Sequence, residues 1–360
     1  MVFIGQKNGH LLDIIEDDPY IDESFVIPAG KFRRYHGEEL SQLLDLKTQS
    51  LNTRDLFRSV SGLAQSWRLL SKIKPDAVFT RGGYVSVPVA LAAWLRRIPY
   101  ITHDSDSTPS LANRIIAPMA ARNAVALEPK MYPYTQDKTV RVGVPINEAF
   151  HRVSAKDKQA YKKKLGLEKY KQMIFVTGGG NGADTLNHLV KSNVGYLLKR
   201  YPDLVIVHTA GRKLSKDLEV DYNQILGKKL SKRVVVKDFV NDLYAYSGAA
   251  DVVIARGGAT NLTEFAAQRK ACVIIPSSKL IWNIRNVHTL AEQGAVLELS
   301  EDQAEQELRL AHLVANLLDH KEAREVLETK FAQFYIPNAA GKLAKLLFEI
   351  AGEKKVENSA

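Results

Sequence analysis

The chain has a single cysteine, Cys272, in 360 residues. That excludes an intrachain disulfide framework and a cysteine-rich zinc site, and it fits a reducing cytoplasm. The lone thiol sits in Ala271–Cys272–Val273–Ile274–Ile275, an apolar run that reads as a strand with a buried structural thiol. Long hydrophobic runs are also missing. No stretch reaches the ~18 apolar residues that a spanning helix needs. The best, Val85 to Leu95, is closed by Arg96–Arg97 and reads as a core helix. No signal-peptide pattern, tandem repeat or low-complexity tract is found. Acidic residues are short, 40 against 50 Lys and Arg, for a formal charge of +10. Such an excess suits an anionic partner: a nucleotide, a lipid diphosphate or an anionic membrane surface. A merely soluble basic surface meets it equally well. Nucleic acid ranks last among these partners, because the lysines scatter and form no basic patch interleaved with aromatics.

What is present is ordinary globular composition, 45% hydrophobic and 25% charged, at a length sufficient for two domains with full cores. Strands and helices alternate, which argues for α/β with parallel sheets. In the first half, strands are expected at Met1–Gly5, Phe25–Pro28, Asp76–Thr80, Tyr100–Thr102 and Thr139–Val144. Helices are expected over Ser59–Ile73 and up to Leu95. Residues 146–170 are lysine-rich and read as linker plus a solvated surface helix. A second series follows, with strands at Met173–Thr177, Leu204–His208, Val234–Val236, Asp251–Ile254, Cys272–Ile275 and Val296–Leu299. The expected organisation is therefore an N-terminal domain over 1–148, a C-terminal domain over 149–336, and a last segment, 337–360, whose helix can cross back onto the first domain.

The most telling segment runs from Asp251 to Glu264. An apolar strand ends at Ile254, Gly257–Gly258 permit a tight turn and close approach of a ligand, and a helix starts at Ala259. Free N–H groups from Ala259, Thr260, Asn261, Leu262 and Thr263 suit an anion, and the Glu264 carboxylate suits a sugar diol. An ordinary βα turn explains the same residues. Gly178–Ala183 is a second glycine loop between strand and helix, and it meets a loose dinucleotide pattern. The next strand ends His208–Thr209–Ala210–Gly211–Arg212 without the carboxylate that would hold an adenine ribose, which demotes a dehydrogenase. Arg81–Gly82–Gly83–Tyr84 repeats the strand–glycine–helix design in the first half. His103–Asp104–Ser105–Asp106 follows a strand, where acid–base work is possible. The same four residues also fit a polar loop before a helix starting at Pro109, with Ser107 or Thr108 as the cap. Asn283 and Asn286, three apart, share one helix face. No His or Asp partners recur at ligand spacing, so no metal is expected, and no cofactor.

In order along the chain, several segments resemble the MurG-like members of glycosyltransferase family 28. They are Phe3–Gly9, Ile27–Gly30, Lys74–Asp76 with Gly82–Ser86, His103–Asp106 with Leu111–Arg114, Gly143–Pro145, Gly178–Ala183 with Asn187, Phe239–Leu243, Arg256–Glu264, and Asn286 with Gly294–Ala295. The resemblance implies a GT-B fold: α/β, two Rossmann-like domains facing across a cleft. It implies transfer of N-acetylglucosamine from UDP-N-acetylglucosamine to an undecaprenyl-diphosphate-linked muramoyl peptide, with inversion by direct displacement and without a metal. The alternatives are a related transferase with another lipid acceptor and a UDP-sugar-binding subunit that needs a partner chain. By position, backbone from Ala259 onward would meet the diphosphate, Glu264 the ribose, Val240 the uracil and Asn283 the sugar. Gly180, Asn181, Asn147 and Asn286 would complete the donor side. Gly82, Gly83, Tyr84, Asp106 and Asn113 would face the acceptor, with His103 and Asp104 as catalytic candidates. The expected location is the cytoplasmic face of the cell membrane, held peripherally on its anionic surface.

The family pattern differs at several points. It places a strand, a glycine loop ending in His and a helix ahead of the segment matching Met1–Gly9; upstream codons or another chain are the expected sources. Its His–Glu–Gln–Asn is His103–Asp104–Ser105–Asp106 here. Its Asn–Pro–Val–Arg is Val144–Pro145–Ile146–Asn147, without the arginine. Gly180 replaces a serine, Asn283 replaces a sugar-reading Gln, and residues 36–56 read as an insertion.

Overall fold

The computed structural model describes residues 1–6, 18–31, 46–179 and 183–357. They form two compact units. One comprises residues 1–104, 109–142 and 341–360; the other comprises 105–108 and 143–340. The divide thus falls at Val142/Gly143 rather than at 148/149, and a short piece of the first half, Ser105–Thr108, belongs to the second unit.

In the first unit, β1 (Val2–Gly5) and β2 (Glu23–Val26) form a parallel pair. A long helix, α1 (Leu46–Ile73), leads to β3 (Val78–Thr80), α2 (Ser86–Leu95), β4 (Tyr100–Asp104), α3 (Leu111–Ile116), β5 (Arg122–Val125) and β6 (Thr139–Arg141). Strands β3 to β6 make a second parallel sheet in sequential order. Helix α2 is apolar all round, SVPVALAAWL, and such a helix must be buried. Its Ala90, Ala92 and Ala93 pack with Leu70, Tyr100 and Ile116. On the other face, Ile101, Ala124 and Val142 take Leu343 and Ile350 from the C-terminal helix, α13 (Ala339–Glu357).

Helix α1 starts at Leu46, ahead of the expected Ser59. Around Asp55 and Ser59 it buries backbone and polar groups instead of an apolar stripe, so periodicity misses it. A Cβ on Gly30 would lie 1.9 Å from the Asp55 carbonyl oxygen, and the Gly30 amide donates to Ser59 Oγ at 3.1 Å. Strand β5 also lies outside the strands expected from the sequence. Its Asn123 accepts from Thr102 Oγ1 at 2.7 Å and donates to the Ala117 carbonyl, a polar pair inside an apolar sheet. The helix expected from Pro109 starts at Leu111, and its cap is Ser110, not Ser107 or Thr108.

The second unit holds one six-stranded parallel sheet. Its strands are β7 (Gln172–Thr177), β8 (Leu204–Thr209), β9 (Val234–Lys237), β10 (Val252–Ala255), β11 (Ala271–Ile274) and β12 (Leu297–Glu298), in the order β12-β11-β10-β7-β8-β9. Residues of β7 alternate between two cores. Ile174 and Val176 pack on one side with α5 (Asp184–Arg200) and α11 (Arg309–Asp319); Met173 and Phe175 pack on the other with α8 (Ala259–Ala267) and α9 (Ile281–Glu292). Burial on both faces is why these strands read as unbroken apolar runs. Cys272 is buried and free, and burial pushes its thiol pKa up.

The lysine-rich stretch is only partly solvated. Helix α4 (Ala155–Lys164) carries a capping box of Ser154 and Asp157. Lys162 on it is buried and donates to the Tyr170 and Lys171 carbonyls at 3.1 and 2.7 Å. Burial lowers its pKa. Lys158 pairs with Asp251, whose other oxygen accepts the Met173 amide at 2.8 Å. The carboxylate that opens the telling segment thus ties β10 to β7 and α4.

Candidate functional site

The sheet order reverses between β7 and β10. Chain succession runs outward through β8 and β9 on one side and through β11 and β12 on the other. At such a switch point the loops leaving two adjacent strands diverge and open a crevice at their C-terminal ends. Ala255 is paired with Thr177. The two glycine turns singled out in the second half therefore leave the sheet side by side, an adjacency that spacing along the chain does not reveal.

The turn after β10 is tightly built. Arg256 donates to the Ile275 and Pro276 carbonyls at 3.0 and 3.2 Å and pairs with Glu301 at 2.8 Å, both side chains being nearly buried. Glu301 also receives the Ser278 amide and hydroxyl. Gly257 has no room for a side chain: a Cβ would lie 2.4 Å from Val287 Cγ2 and 2.8 Å from the Asn283 carbonyl oxygen. Gly258 faces open space. It caps α8 through its backbone alone, with no side-chain cap, and its carbonyl accepts from the Leu262 amide. The amides of Ala259, Thr260 and Asn261 therefore point out of the helix end, where the helix dipole favours negative charge.

Glu264 sits two residues beyond Leu262 on the same helix. Its side chain is only 9% exposed, and Oε2 is buried without a hydrogen-bond partner. Burial pushes its pKa up to about 7. Native proteins rarely bury a carboxylate oxygen unpaired, and a ligand donor is a sufficient reason. Thr263 spends its hydroxyl on the Ala259 carbonyl at 2.9 Å, and Leu262 is core. These two shape the helix and offer no side-chain donor.

Helix α9 lies behind this turn. Asn283 is buried beside Gly257. Asn286 is fully occupied: Oδ1 accepts the Ser107 amide at 2.8 Å, and Nδ2 donates to Asp106 Oδ1 at 2.7 Å and to the Gly257 carbonyl at 3.3 Å. Its amide holds segment 105–108 to the turn, so Asn286 and Asp106 act as struts of the site. Asn147 is exposed and turns its own loop, accepting the Ala149 amide at 2.8 Å. Val240 is half-buried in the connection from β9 to α7 (Leu243–Ala249). Gly180 and Asn181 lie outside the described residues.

Beside the second glycine loop lies a polar network that no spacing along the chain announces. His208 is fully buried between Asn187 Oδ1, 3.0 Å from Nε2, and the Tyr222 hydroxyl, 2.9 Å from Nδ1. Desolvation lowers its pKa to about 3, so it is neutral. Asn187 also donates to the Ala210 carbonyl at 3.1 Å. This joins the end of β8 to the start of α5. A histidine and an asparagine inside apolar segments were the available signal.

In the first unit, the expected residues meet at the C-terminal edge of β3 and β4. Gly82 has φ +85, and a Cβ there would lie 2.6 Å from the Asn113 amide. Asn113 donates to the His103 carbonyl at 3.0 Å, and its Oδ1 is buried without a partner. Ser110 Oγ caps α3 and donates to the Gly82 carbonyl at 2.9 Å. Asp104 accepts the Tyr134 hydroxyl at 2.7 Å and the Ser110 amide at 3.4 Å. Tyr134, pushed up chiefly by burial and then by the Asp104 charge, stays protonated. His103 is buried with its ring 6.4 Å from Phe79. Gly83 is exposed and Tyr84 half-buried at the turn into α2. Tyr134 and Ser110 are the partners that sequence reading missed. Among the described residues no group of three or more His, Cys, Asp or Glu side chains is placed to hold a metal ion.

Parallel α/β units of this kind, with a glycine turn at a switch point, are those of the GT-B fold class. Solved structures agree with that class. MurG from Acinetobacter baumannii superposes with a TM-score of 0.69, covering 96% of this chain and 90% of that one at 20% identity. The calicheamicin glycosyltransferase CalG4 superposes with a TM-score of 0.64 at 13% identity, covering 97% and 90%. Residues 3–125 match the glycosyltransferase family 28 N-terminal domain and residues 173–343 its C-terminal domain, and the chain belongs to glycosyltransferase family 28. A Clostridium botulinum relative named UDP-N-acetylglucosamine–N-acetylmuramyl-(pentapeptide) pyrophosphoryl-undecaprenol N-acetylglucosamine transferase is 34% identical over 314 residues, 84% of this chain and 77% of the relative. A Geobacillus thermodenitrificans relative of the same name is 31% identical over 313 residues, covering 85% and 80%.

Glu264 carries a pH signature. Its carboxyl ionises near 4.5 in the unfolded chain and near 7 when folded. The folded state holds the proton more tightly, so the burial cost is absent below about 4.5, grows as pH rises and is complete above about 7. Glu264→Gln is expected to be more stable than the parent at pH 8, by up to ~3 kcal/mol, and equal to it at pH 4. Denaturant unfolding of both proteins at the two pH values checks this; a difference that does not change with pH contradicts it.

Proposed function

We propose that the chain transfers N-acetylglucosamine from UDP-N-acetylglucosamine to a lipid-diphosphate-linked muramoyl peptide, a step in peptidoglycan precursor synthesis. The observation that carries this reading is the unpartnered Glu264 carboxylate, buried a turn inside a helix whose first amides are open. The relatives bear that transferase name over most of their length. A neighbouring fold, MnaA of S. aureus, was solved with UDP, at a TM-score of 0.61 and 14% identity.

In this reading the diphosphate lies on the amides of Ala259, Thr260 and Asn261. The ribose hydroxyls donate to Glu264, the base lies by Val240, and the sugar lies by Asn283. Gly180 and Asn181 belong to the same donor side by sequence. The acceptor hydroxyl forms a bond to the anomeric carbon as the bond to the β-phosphate oxygen breaks, inverting the centre. The negative charge that grows on departing UDP is met by the helix end, which is set before reaction and needs no reorganisation. Gly82, Gly83, Tyr84 and Asn113 form the acceptor side. His103 and Asp104 are the groups there that can take the hydroxyl proton, with Tyr134 positioning Asp104.

The acceptor is lipid-linked, and the first unit has a surface suited to a membrane. Phe57, Val60 and Trp67 recur at helical spacing on α1 and are 71%, 59% and 41% exposed. Trp94 and Leu95 of α2 are half exposed. Arg96 lies over the Trp67 ring at 4.8 Å, with Arg68, Lys72 and Arg97 exposed around it. Apolar side chains rimmed by cations suit the interface of an anionic bilayer. Among the described residues no helix is long and apolar enough to cross a membrane. The reading is peripheral attachment at the cytoplasmic face.

Two measurements test these assignments. Glu264→Ala is expected to weaken UDP-N-acetylglucosamine binding in calorimetry by at least about tenfold, the worth of hydrogen bonds to a charged group. In the parent, affinity is expected to fall about tenfold from pH 8 to pH 6, because the proton must leave Glu264 before the diol binds. Unchanged affinity in the variant contradicts the donor assignment. Phe57→Ser with Trp94→Ser is expected to lower binding to anionic vesicles at least about tenfold while leaving donor affinity intact. Equal vesicle binding would remove the membrane reading.

A further inference from the structure

Helices α8 and α9 start side by side. They follow β10 and β11, which pair in parallel and end together, Ala255 against Ile274. One stripe of α9 faces inward: Asn283, Asn286, Val287 and Leu290 recur at helical spacing and are buried. This stripe meets the glycine turn. The Asn283 carbonyl and the Val287 side chain crowd Gly257, and Asn286 Nδ2 donates to the Gly257 carbonyl. Trp282 precedes Asn286 by four residues, so the two side chains share a flank of the helix. Helical side chains lean toward the N-terminus, which carries the indole over the first turn of α9, at the strand edge.

Two observations single out this corner of the second unit. The first is that Trp282 is 42% exposed, a large apolar surface set beside a turn whose polar groups are tightly held. The second is Ser107. Its amide donates to Asn286 Oδ1, and its neighbour Thr108 accepts from Arg285 at 3.4 Å, so this segment runs along α9. The Ser107 hydroxyl is nevertheless buried without a hydrogen-bond partner. Buried hydroxyls are normally paired, and a ligand group is a sufficient reason for one that is not. An aromatic face and an orphaned hydroxyl thus converge on Asn286, next to the open helix end at Ala259. Aromatic surface with a few placed polar groups is how small-molecule sites are lined. A pyranose meets both needs, because its ring faces carry C–H groups and its rim carries hydroxyls.

We propose that Trp282 determines which hexose the donor carries: the indole stacks on the ring face that bears the axial C4 hydrogen, and Ser107 Oγ hydrogen-bonds a hydroxyl of the same ring. The inference rests on the donor reading above and adds to it the configuration of the sugar. In a gluco-configured ring the C4 hydroxyl lies near the ring plane and leaves that face apolar. In the C4 epimer the hydroxyl stands on the face and meets the indole. C4 lies across the ring from the anomeric carbon, so the stacked contact leaves the reacting centre open to the acceptor. Trp282 also separates donor from product, since departing UDP has no ring to place on it.

Calorimetry on the full chain with UDP-N-acetylglucosamine, UDP-N-acetylgalactosamine and UDP tests this. The parent is expected to bind the first of these about tenfold tighter than the second, its C4 epimer. Trp282→Leu is expected to weaken UDP-N-acetylglucosamine about tenfold, to abolish the preference between the epimers and to leave UDP affinity unchanged. Trp282→Phe keeps an aromatic face and is expected to retain the preference. Ser107→Ala is expected to weaken the sugar nucleotide about fivefold, again with UDP unchanged. Full affinity for UDP-N-acetylglucosamine in Trp282→Leu overturns the platform while the donor reading stands. Equal loss of UDP and of the sugar nucleotide in that variant also overturns it, because the side chain then supports the fold rather than the hexose. A parent that binds none of the three nucleotides overturns the donor reading and the platform with it.

Discussion

The close approach of the β10–α8 turn to helix α9 is the constraint on which the candidate site of the second unit rests. Gly257 lies so near Val287 and the Asn283 backbone that a side chain there has no room. Because the turn is pressed inward, α8 begins directly at the strand edge, and its first amides face outward uncapped. Glu264 then lies one turn further in, buried enough that its pKa rises. An anion and a hydroxyl pair would satisfy both ends of this short helix. One packing contact between a glycine and a valine thus sets the spacing between the open helix end and the buried carboxylate.

The surroundings hold that turn by polar struts rather than by apolar packing. Arg256 anchors it to the end of β11 and to Glu301, and Asn286 binds the Gly257 carbonyl together with Asp106 and Ser107. Buried Lys270 donates to the Gly248 and Ala250 carbonyls and fixes the entry to β10, with burial lowering its pKa to about 7. His208, Asn187 and Tyr222 serve the neighbouring loop in the same way. Satisfied buried networks of this type specify one backbone geometry, which a preorganised site requires.

Much of this was legible in the chain. The strand–glycine–helix segments showed because parallel strands buried on both faces are unbroken apolar runs and because the turns demand glycine. The ordered motifs carried the family. Three kinds of feature stayed hidden. Helix α1 and strand β5 bury polar groups, Asp55 and Asn123, so their hydrophobic period is broken. Tyr134 and Ser110 meet Asp104 only after folding, and no spacing announces them. The helix face shared by Asn283 and Asn286 is legible, but the partners of Asn286, Ser107 and Asp106, come from far along the chain. Lysines gave the opposite lesson: a run that looked solvated includes Lys162, fully buried on backbone carbonyls.

The donor site is tested most directly by a crystal structure of the chain soaked with UDP-N-acetylglucosamine. The account predicts diphosphate oxygens within hydrogen-bond distance of the Ala259, Thr260 and Asn261 amides, and ribose hydroxyls on the Glu264 carboxylate. Nucleotide density at another edge of the second unit, with Glu264 still unpartnered, would contradict it.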